Sequence, residues 1–536
     1  METIIVSLVG KERRLSGDHE RVKRGTIPLM SKDASLHVHF MNIYWGDIHN
    51  HCGITYGYGA LDNALTAAKN QLDFCAVTGH AMWPDMHERT EETAFVVDFH
   101  NRGFKKLKDH WPEVRSAVAD ANSEELVTFQ AYEMHSSHYG DHHLVSPDDT
   151  LPLIYRSSPQ ELKDDCGCRS VTVAHHIGYT PGYRGINWDE FDESVTPLVE
   201  VCSKHGCAMN ETAAYPYYHN MGPRDSRNTV YEGLRRGYHF GFTGSTDHHA
   251  GYPGSYGDGK MAVLTDKKDR ESIWDAMINR RTYAVTGDRI LCTFDINGFV
   301  MGSIVKHTSA PREIHYSVKA CYPIDKIVIY KNLEPIHITE GLFLKPDKAD
   351  TRFKVRVETG WGNNKDEPYR FTCTAHVDDG KILNIEPCFR GRSVLAPSAE
   401  EDDSQDEINK LDNRILSCQD NVAAWQCETF KNLSTLHPQT SAVILEIEGT
   451  PETTISFDIN GRTNSRTIGE LMAAGFSGHM KPYHSQAFKV HTAVSASQYT
   501  VEKTFTDVNG AAGDFYHMEV SQLNGHWAYV TPVWFQ

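Results

Sequence analysis

Short apolar runs recur through the first half of this chain, and each ends on residues able to bind a metal or move a proton. They are "YWGDIHNHCG", "LDFCAVTGH", "EELVTFQAYEMHS", "SVTVAHHIG", "PLVEVCSKHG" and "YHFGFTGSTDHH". A short apolar run between turn signals reads as a buried strand. In βα folds the loops that follow strand C-termini form the active site. A chain that places imidazoles and carboxylates repeatedly at such ends is therefore constrained to gather them at one mouth.

Between the first two runs, "ALDNALTAAKNQ" spaces Leu61, Leu65 and Ala68 at i, i+4 and i+7, an amphipathic helix. Strands alternating with helices from Ile43 to about Thr286 imply parallel βαβ units and an α/β class. After "RRTYAVTGDR" the texture changes. "LCTFDINGFVMGS", "REIHYSVKACY", "DKIVIYKN", "FKVRVETGWG" and "YRFTCTAHVDD" are β-branched and aromatic stretches that predict an antiparallel β-sandwich. An acidic run, "PSAEEDDSQDEINKLDNRIL", interrupts them. Ile408, Leu411 and Ile415 fall at helical spacing there, which predicts one exposed helix. The last residues, "FYHMEVSQLNGHWAYVTPVWFQ", predict a hairpin turning near Asn524-Gly525. The expected domains are a polar lead-in over 1–42, a metal-binding unit over 43–287, and a β-sandwich over 288–536 with an insertion near 396–430.

In chain order the candidate ligands are His49 and His51, His80, Glu133, His142 and His143, His175 and His176, then Asp247 and His249. A divalent ion needs imidazole nitrogens and carboxylate oxygens converging from several directions. Residues two apart at a strand end point to one side, so both arms of His49-x-His51 can reach one centre. A carboxylate such as Glu133 can bridge two ions ~3.5–4 Å apart. Singly, each motif also reads as polar residues on a strand. Jointly, they read as a metal centre. Which member of each histidine doublet ligates stays open.

The ordered set "GDIHNHC", "FCAVTGH", "AYEMHSS…GDHHLV", "VAHHIG" and "GSTDHH" resembles the PHP (polymerase and histidinol phosphatase) superfamily of metallohydrolases. The match is nearest to a large bacterial branch labelled a domain of unknown function. The resemblance spans most of the chain and fits residues 390–500 least. It implies a distorted (β/α)7 PHP-type barrel holding up to three ions of zinc, manganese or iron. In that reading His49, His51, Glu133 and Asp247 hold the first ion. Glu133, one of His142/His143 and one of His175/His176 hold the second. His80 and His249 contribute to a third. The sequence departs from the pattern at Gly79, where an aspartate is usual, and at "CGITYGYG", where a histidine is missing. One or two divalent ions are therefore expected, with a third position open.

No nucleophile elbow is present, and none is required if an ion activates water. Asp47 is expected to orient a ligand from behind. Lys204 or His205 could meet an anionic group or protonate a leaving group. The loop "GYTPGYRGINWDEF" offers Tyr183 and Arg184 as substrate contacts, and Arg224 is a third anchor. The expected function is a metal-dependent hydrolase of a phosphoester or other small anionic substrate. Hydrolysis of a C–N, C–O or C–C bond at the same centre is the alternative, and a non-catalytic binding protein is a third.

A net charge of −18 over 536 residues argues against non-specific nucleic-acid binding. The N-terminus lacks the basic start and long apolar segment of a secretory signal, and no run approaches a membrane span. Twelve scattered cysteines without a CxxC pair point to an intracellular thiol state, hence the cytoplasm. Oligomeric state is not readable.

Overall fold

The computed structural model describes residues 26–29, 39–365, 367–392, 394, 408–432 and 438–536. Its first long strand, β1 (His39–Asp47), pairs in parallel with β2 (Phe74–Ala76). β2 and β3 (Gly79–Met82) both pair in parallel along β4 (Val127–Met134). Every residue of β4 is buried, as a strand covered on both faces requires. β6 (Val171–Ala174), β7 (Leu198–Ser203) and β8 (Gly241–Gly244) continue in parallel order.

One strand breaks the expected parallel pattern. β5 (His142–Ser146) runs antiparallel to both β4 and β6. Residues 135–141 alone connect β4 to β5. That is too short for the dozen or more residues of a parallel crossover. Two further strands, β9 (Lys260–Thr265) and β10 (Thr282–Val285), also pair antiparallel, with β9 returning onto β1. The sheet is therefore mixed rather than purely parallel.

Helices cover this sheet where apolar residues recur at helical spacing. In α1 (Leu61–Gln71) the buried face holds Ala64, Leu65 and Ala68. In α2 (Ala94–Asp120) it holds Val97, Phe104, Leu107, Trp111, Val114 and Val118. No helix among the described residues is long and apolar enough to cross a membrane.

The C-terminal half splits between two packings. Strands Arg352–Gly360 and Ser441–Glu448 belong to one antiparallel sheet, and Tyr369–Asp378 and Val422–Thr429 to another. Their facing side chains, including Val355, Phe371, Trp425, Leu445 and Phe457, make one sandwich core. A separate four-stranded sheet, which includes Leu291–Ile296 and Arg312–Lys319, packs instead on the sheet of β1, β9 and β10. Trp45, Tyr283, Phe294, Tyr316, Tyr516 and Val530 lie in that shared core. The C-terminal hairpin forms as expected from Phe515–Gln522 and Trp527–Phe535, with Gly525 at φ 87° in its turn. Its second strand pairs with β10, Tyr283 opposite Val530.

Two further expectations differ from the structure. The expected helix around Ile408, Leu411 and Ile415 is absent: Arg414–Gln419 is a strand, with Ile415 opposite Trp425. Leu411 is instead buried in the sandwich core, so its apolar character marks packing and not a helical face. Residues 395–407 of that insertion lie outside the described residues. In the expected lead-in, Thr26–Leu29 forms a short strand antiparallel to the start of β1. Residues 1–25 and 30–38 lie outside the described residues.

Candidate metal centre

The C-terminal ends of the parallel strands deliver their side chains to one place. β1 leads into His49 and His51, β3 carries His80, and β4 carries Glu133. β6 leads into His175 and His176, β7 into Lys204 and His205, and β8 into Asp247 and His249. Because β5 runs the other way, it presents its first residues at the same end, with His143 opposite Glu133.

Four atoms define the centre. His49 Nε2 lies 3.4 Å from Glu133 Oε2 and 3.5 Å from Asp247 Oδ1. His51 Nε2 lies 3.3 Å from the same Glu133 oxygen and 3.0 Å from the same Asp247 oxygen. All four residues are at most 1% exposed, and none of these four atoms has a hydrogen-bond partner. Buried polar atoms without partners are rare and call for an explanation. A tetrahedral ion with bonds of ~2.0–2.1 Å separates its ligand atoms by roughly 3.3 Å. The residues present therefore fit a four-coordinate divalent cation.

The surrounding groups support that geometry. The Nδ1 of His49 donates to Glu200 Oε2 at 2.8 Å, which turns Nε2 toward the centre. Glu133 directs its other oxygen, Oε1, to His175 Nε2 at 3.1 Å and His135 Nε2 at 2.8 Å. One carboxylate thus faces two groups of ligands, the layout of a bridging residue. His49, His143 and His175 offer ring nitrogens within 4.8 Å of one another, as do His51, His80 and His249. His80, Glu133 and His135 form a further such group.

Charge is set for ligation. Burial pushes the Glu133 carboxyl up, but His175, His80 and His135 outweigh it and hold the group well below the carboxylate range. Burial likewise acts against ionised Asp247, and His49, His205 and His249 reverse it. Burial lowers His80, His143, His175 and His249 well below the ordinary imidazole value, leaving neutral rings. Neutral imidazole and ionised carboxylate are the ligating forms. His49 is the exception: burial lowers it, yet Glu200 and Asp247 raise it well above its usual value.

The expected site residues separate into two sets. The structure brings His49, His51, His80, Glu133, His143, His175, Asp247 and His249 together. His142 occupies the opposite face of β5 from His143, and its ring bonds Gly140 O at 2.9 Å. His176 approaches the centre, but its two nitrogens meet Asp141 Oδ2 at 3.1 Å and Asp247 Oδ2 at 2.9 Å. Asp141, His175 and His176 lie close enough to hold an ion, yet those contacts already engage Asp141 Oδ2 and both His176 nitrogens.

Asp47 accepts from the backbone of His49 and Thr246 at 3.2 Å each and from Gly254 N at 2.8 Å. It ties the loops after β1 and β8 together. Burial raises its pKa above the usual carboxylate value. His205 Nε2 lies 2.9 Å from Asp247 Oδ2, and its Nδ1 meets Tyr179 OH at 2.6 Å. Lys204 Nζ reaches Val394 O at 3.4 Å, where the sandwich side of the molecule meets this mouth. Arg184 is half-buried, with its guanidinium 4.0 Å from Glu133 Oε1, while Tyr183 is exposed. Arg224 is engaged with the backbone. Its guanidinium donates to Cys207 O, Ala213 O and Glu211 O, which makes it a clamp on the chain.

His135, Glu200 and Asp141 were not among the expected site residues. His135 repeats the His49-x-His51 logic, since Glu133-x-His135 places two ligating types on one side of a strand. Glu200 ends an apolar run like the other ligands. The departure at Gly79 has a steric cause: a Cβ there would sit 2.7 Å from Leu107 Cδ1 of α2. Tyr56 occupies the neighbouring space, stacked on His80 at 3.6 Å and bonded to His135 at 3.2 Å.

No family model matches the chain. An uncharacterized protein of Chlamydia pneumoniae is 26% identical over 254 residues, 43% of this chain and 40% of its own length. An uncharacterized protein of Chlamydia trachomatis is 30% identical over 184 residues, 31% of this chain and 28% of its own length. The chain spans less than half the length of these curated relatives. Among solved structures, a two-domain Bacteroides vulgatus protein, described as containing a predicted PHP-like metal-dependent phosphoesterase, aligns with a TM-score of 0.30. It is 14% identical, and the alignment covers 57% of this chain and 83% of that one.

Proposed function

We propose that this protein is a metal-dependent hydrolase acting on a phosphoester or another small anionic substrate. The observation that carries this reading is the 3.0–3.5 Å spacing between imidazole nitrogens and carboxylate oxygens among four buried, partnerless atoms on His49, His51, Glu133 and Asp247. A divalent cation of zinc, manganese or iron bound there supplies the positive charge that polarises a substrate and lets water ionise near neutral pH. The two-sided Glu133 supports room for a second ion beside His143 and His175. His51, His80 and His249 leave a third position open. The arc from β1 to β8, with its ligands at one end, supports a distorted (β/α)7 reading of this part of the chain.

The chain's own residues take distinct roles in this proposal. Glu200 fixes the tautomer of His49, and Asp47 holds the ligand-bearing loops in register. Arg184 neutralises an anionic group arriving beside Glu133. Burial and nearby His176 lower the His205 pKa to about 3, so its neutral ring braces Asp247 Oδ2 rather than acting as an acid. Lys204 and Tyr183 flank the approach, and the phosphoester preference follows the motif resemblance. A cytoplasmic setting belongs to the same reading, since all twelve cysteines are free thiols.

The test combines elemental analysis of purified protein with a screen of phosphate monoesters, diesters and anilides. Phosphoester turnover that vanishes on chelation and in Glu133→Gln supports the proposal. Turnover of anilides alone moves the activity to C–N bonds. A folded protein that takes up no divalent ion after reconstitution overturns the hydrolase reading in favour of a binding protein.

A further inference from the structure

Three residues of the centre have left-handed backbones although none is glycine: His176 at φ 54°, Arg184 at φ 66° and Asp247 at φ 49°. Such conformations are sparsely populated for residues other than glycine and persist where surrounding contacts fix them. Two of these three, His176 and Arg184, meet on one side chain, Asp141, which is fully buried, and Asp247 joins them through His176. Its Oδ2 accepts from Arg184 Nε at 2.8 Å and Nη2 at 2.6 Å, and from His176 Nδ1 at 3.1 Å. Its Oδ1 accepts from Ser136 N at 3.1 Å, which fixes the carboxylate plane. Its backbone is tied to the same partners, with Asp141 N donating to Arg184 O and His175 N donating to Asp141 O.

From Asp141 the chain of contacts runs inward. His176 Nε2 reaches Asp247 Oδ2 at 2.9 Å, so the partnerless Oδ1 of the same carboxylate faces His49 and His51. On the other branch, the Arg184 guanidinium is stacked 5.3 Å over Trp83 and points toward Glu133. Asp141 therefore bears on the aim of a metal ligand, whose Oδ2 His205 also holds at 2.9 Å, and on that of a cation at the mouth.

We infer that Asp141 is a positioning residue, orienting Asp247 through His176 for the cation and Arg184 for the anionic substrate. The inference rests on the metal-centre reading proposed above. Outer partners of this kind govern metal affinity by roughly 10- to 100-fold.

The test uses Co2+ as a visible probe on the full chain stripped of metal. Affinity is measured by competition with a chromophoric chelator, and geometry by the visible absorption of the bound Co2+. Asp141→Asn is expected to weaken Co2+ about 10- to 100-fold and to alter the visible band. His176→Gln should do the same, and the double variant should be no weaker than either single one, because both act along one path. Asp269→Asn is the control. Asp269 caps the helix Arg270–Ile278 by accepting from Ser272 N at 2.7 Å and touches no residue of the relay, so its Co2+ affinity and spectrum should match wild type.

Wild-type affinity and spectrum in Asp141→Asn overturn the inference. So does strict additivity in the double variant. If Asp141→Asn fails to fold, His176→Gln decides alone, and unchanged binding there overturns it. Wild-type protein that binds no Co2+ sinks the metal-centre reading itself, a result distinct from all of these.

Discussion

Glu358 lies on the sandwich strand Arg352–Gly360 and accepts a hydrogen bond from His491 Nε2 at 2.8 Å. Burial raises its pKa, but the His491 bond and nearby Arg356 outweigh that and lower it from 4.5 to about 2. The folded-state value is depressed, so the stabilisation is present above pH 4.5 and is lost as pH falls from there toward 2. Its ceiling is ~3 kcal/mol. Urea midpoints measured across that window should fall steeply in wild type and less steeply in Glu358→Gln. At Gly79 the limit is space rather than charge. Gly79→Ala forces a methyl against Leu107 and should cost ~1–3 kcal/mol, with a matching drop in melting temperature. Trimming the opposing side chain in Gly79→Ala/Leu107→Ala should make the pair less costly than the sum of the two single changes, which thermal melts would reveal.

At the scale of elements, the direction of a strand decides which histidine of a doublet can ligate. β5 alternates its faces, so His143 turns toward His175 at 3.2 Å while His142 turns to Gly140 O. Elemental analysis should find less bound metal in His143→Ala and an unchanged content in His142→Ala. The ligand types and their placement at strand ends were legible because His-x-His, Glu133 and Asp247-x-His249 each close an apolar run. The choice within a doublet was not legible, since it depends on β5 running antiparallel, and that follows from a loop length rather than a residue type. Asp141 was hidden for another reason. It precedes a strand instead of ending one, and its importance comes from Arg184, His176 and Asp247 meeting in space. The insertion misled in the opposite way. Ile408, Leu411 and Ile415 share a helical spacing by coincidence, while pairing with Val422–Thr429 decides the conformation of Ile415 and burial in the sandwich core that of Leu411.

For the molecule as a whole, the sheet that carries the candidate ligands shares a core and a strand ladder with the C-terminal hairpin. An ion that binds only the folded state stabilises it by about 4 kcal/mol at a free concentration ~1,000-fold above its dissociation constant. Calorimetry should therefore find a higher melting temperature with added Zn2+ or Mn2+ and a lower one after chelation. A fragment ending at residue 287 should fail to give a cooperative melt, because β10 would lose Ala528, Tyr529 and Val530 as ladder partners. The shared core would also lose Tyr516, Met518 and Val533. Adding the missing segment back as a separate polypeptide and watching for recovery of the transition checks that the loss comes from those contacts. The pairing of Thr282–Val285 with Trp527–Phe535 also imposes an order in time. A ribosome releases residues 43–286 long before the strand that completes their sheet exists, so the half-made sheet must wait with an open edge for its last partner.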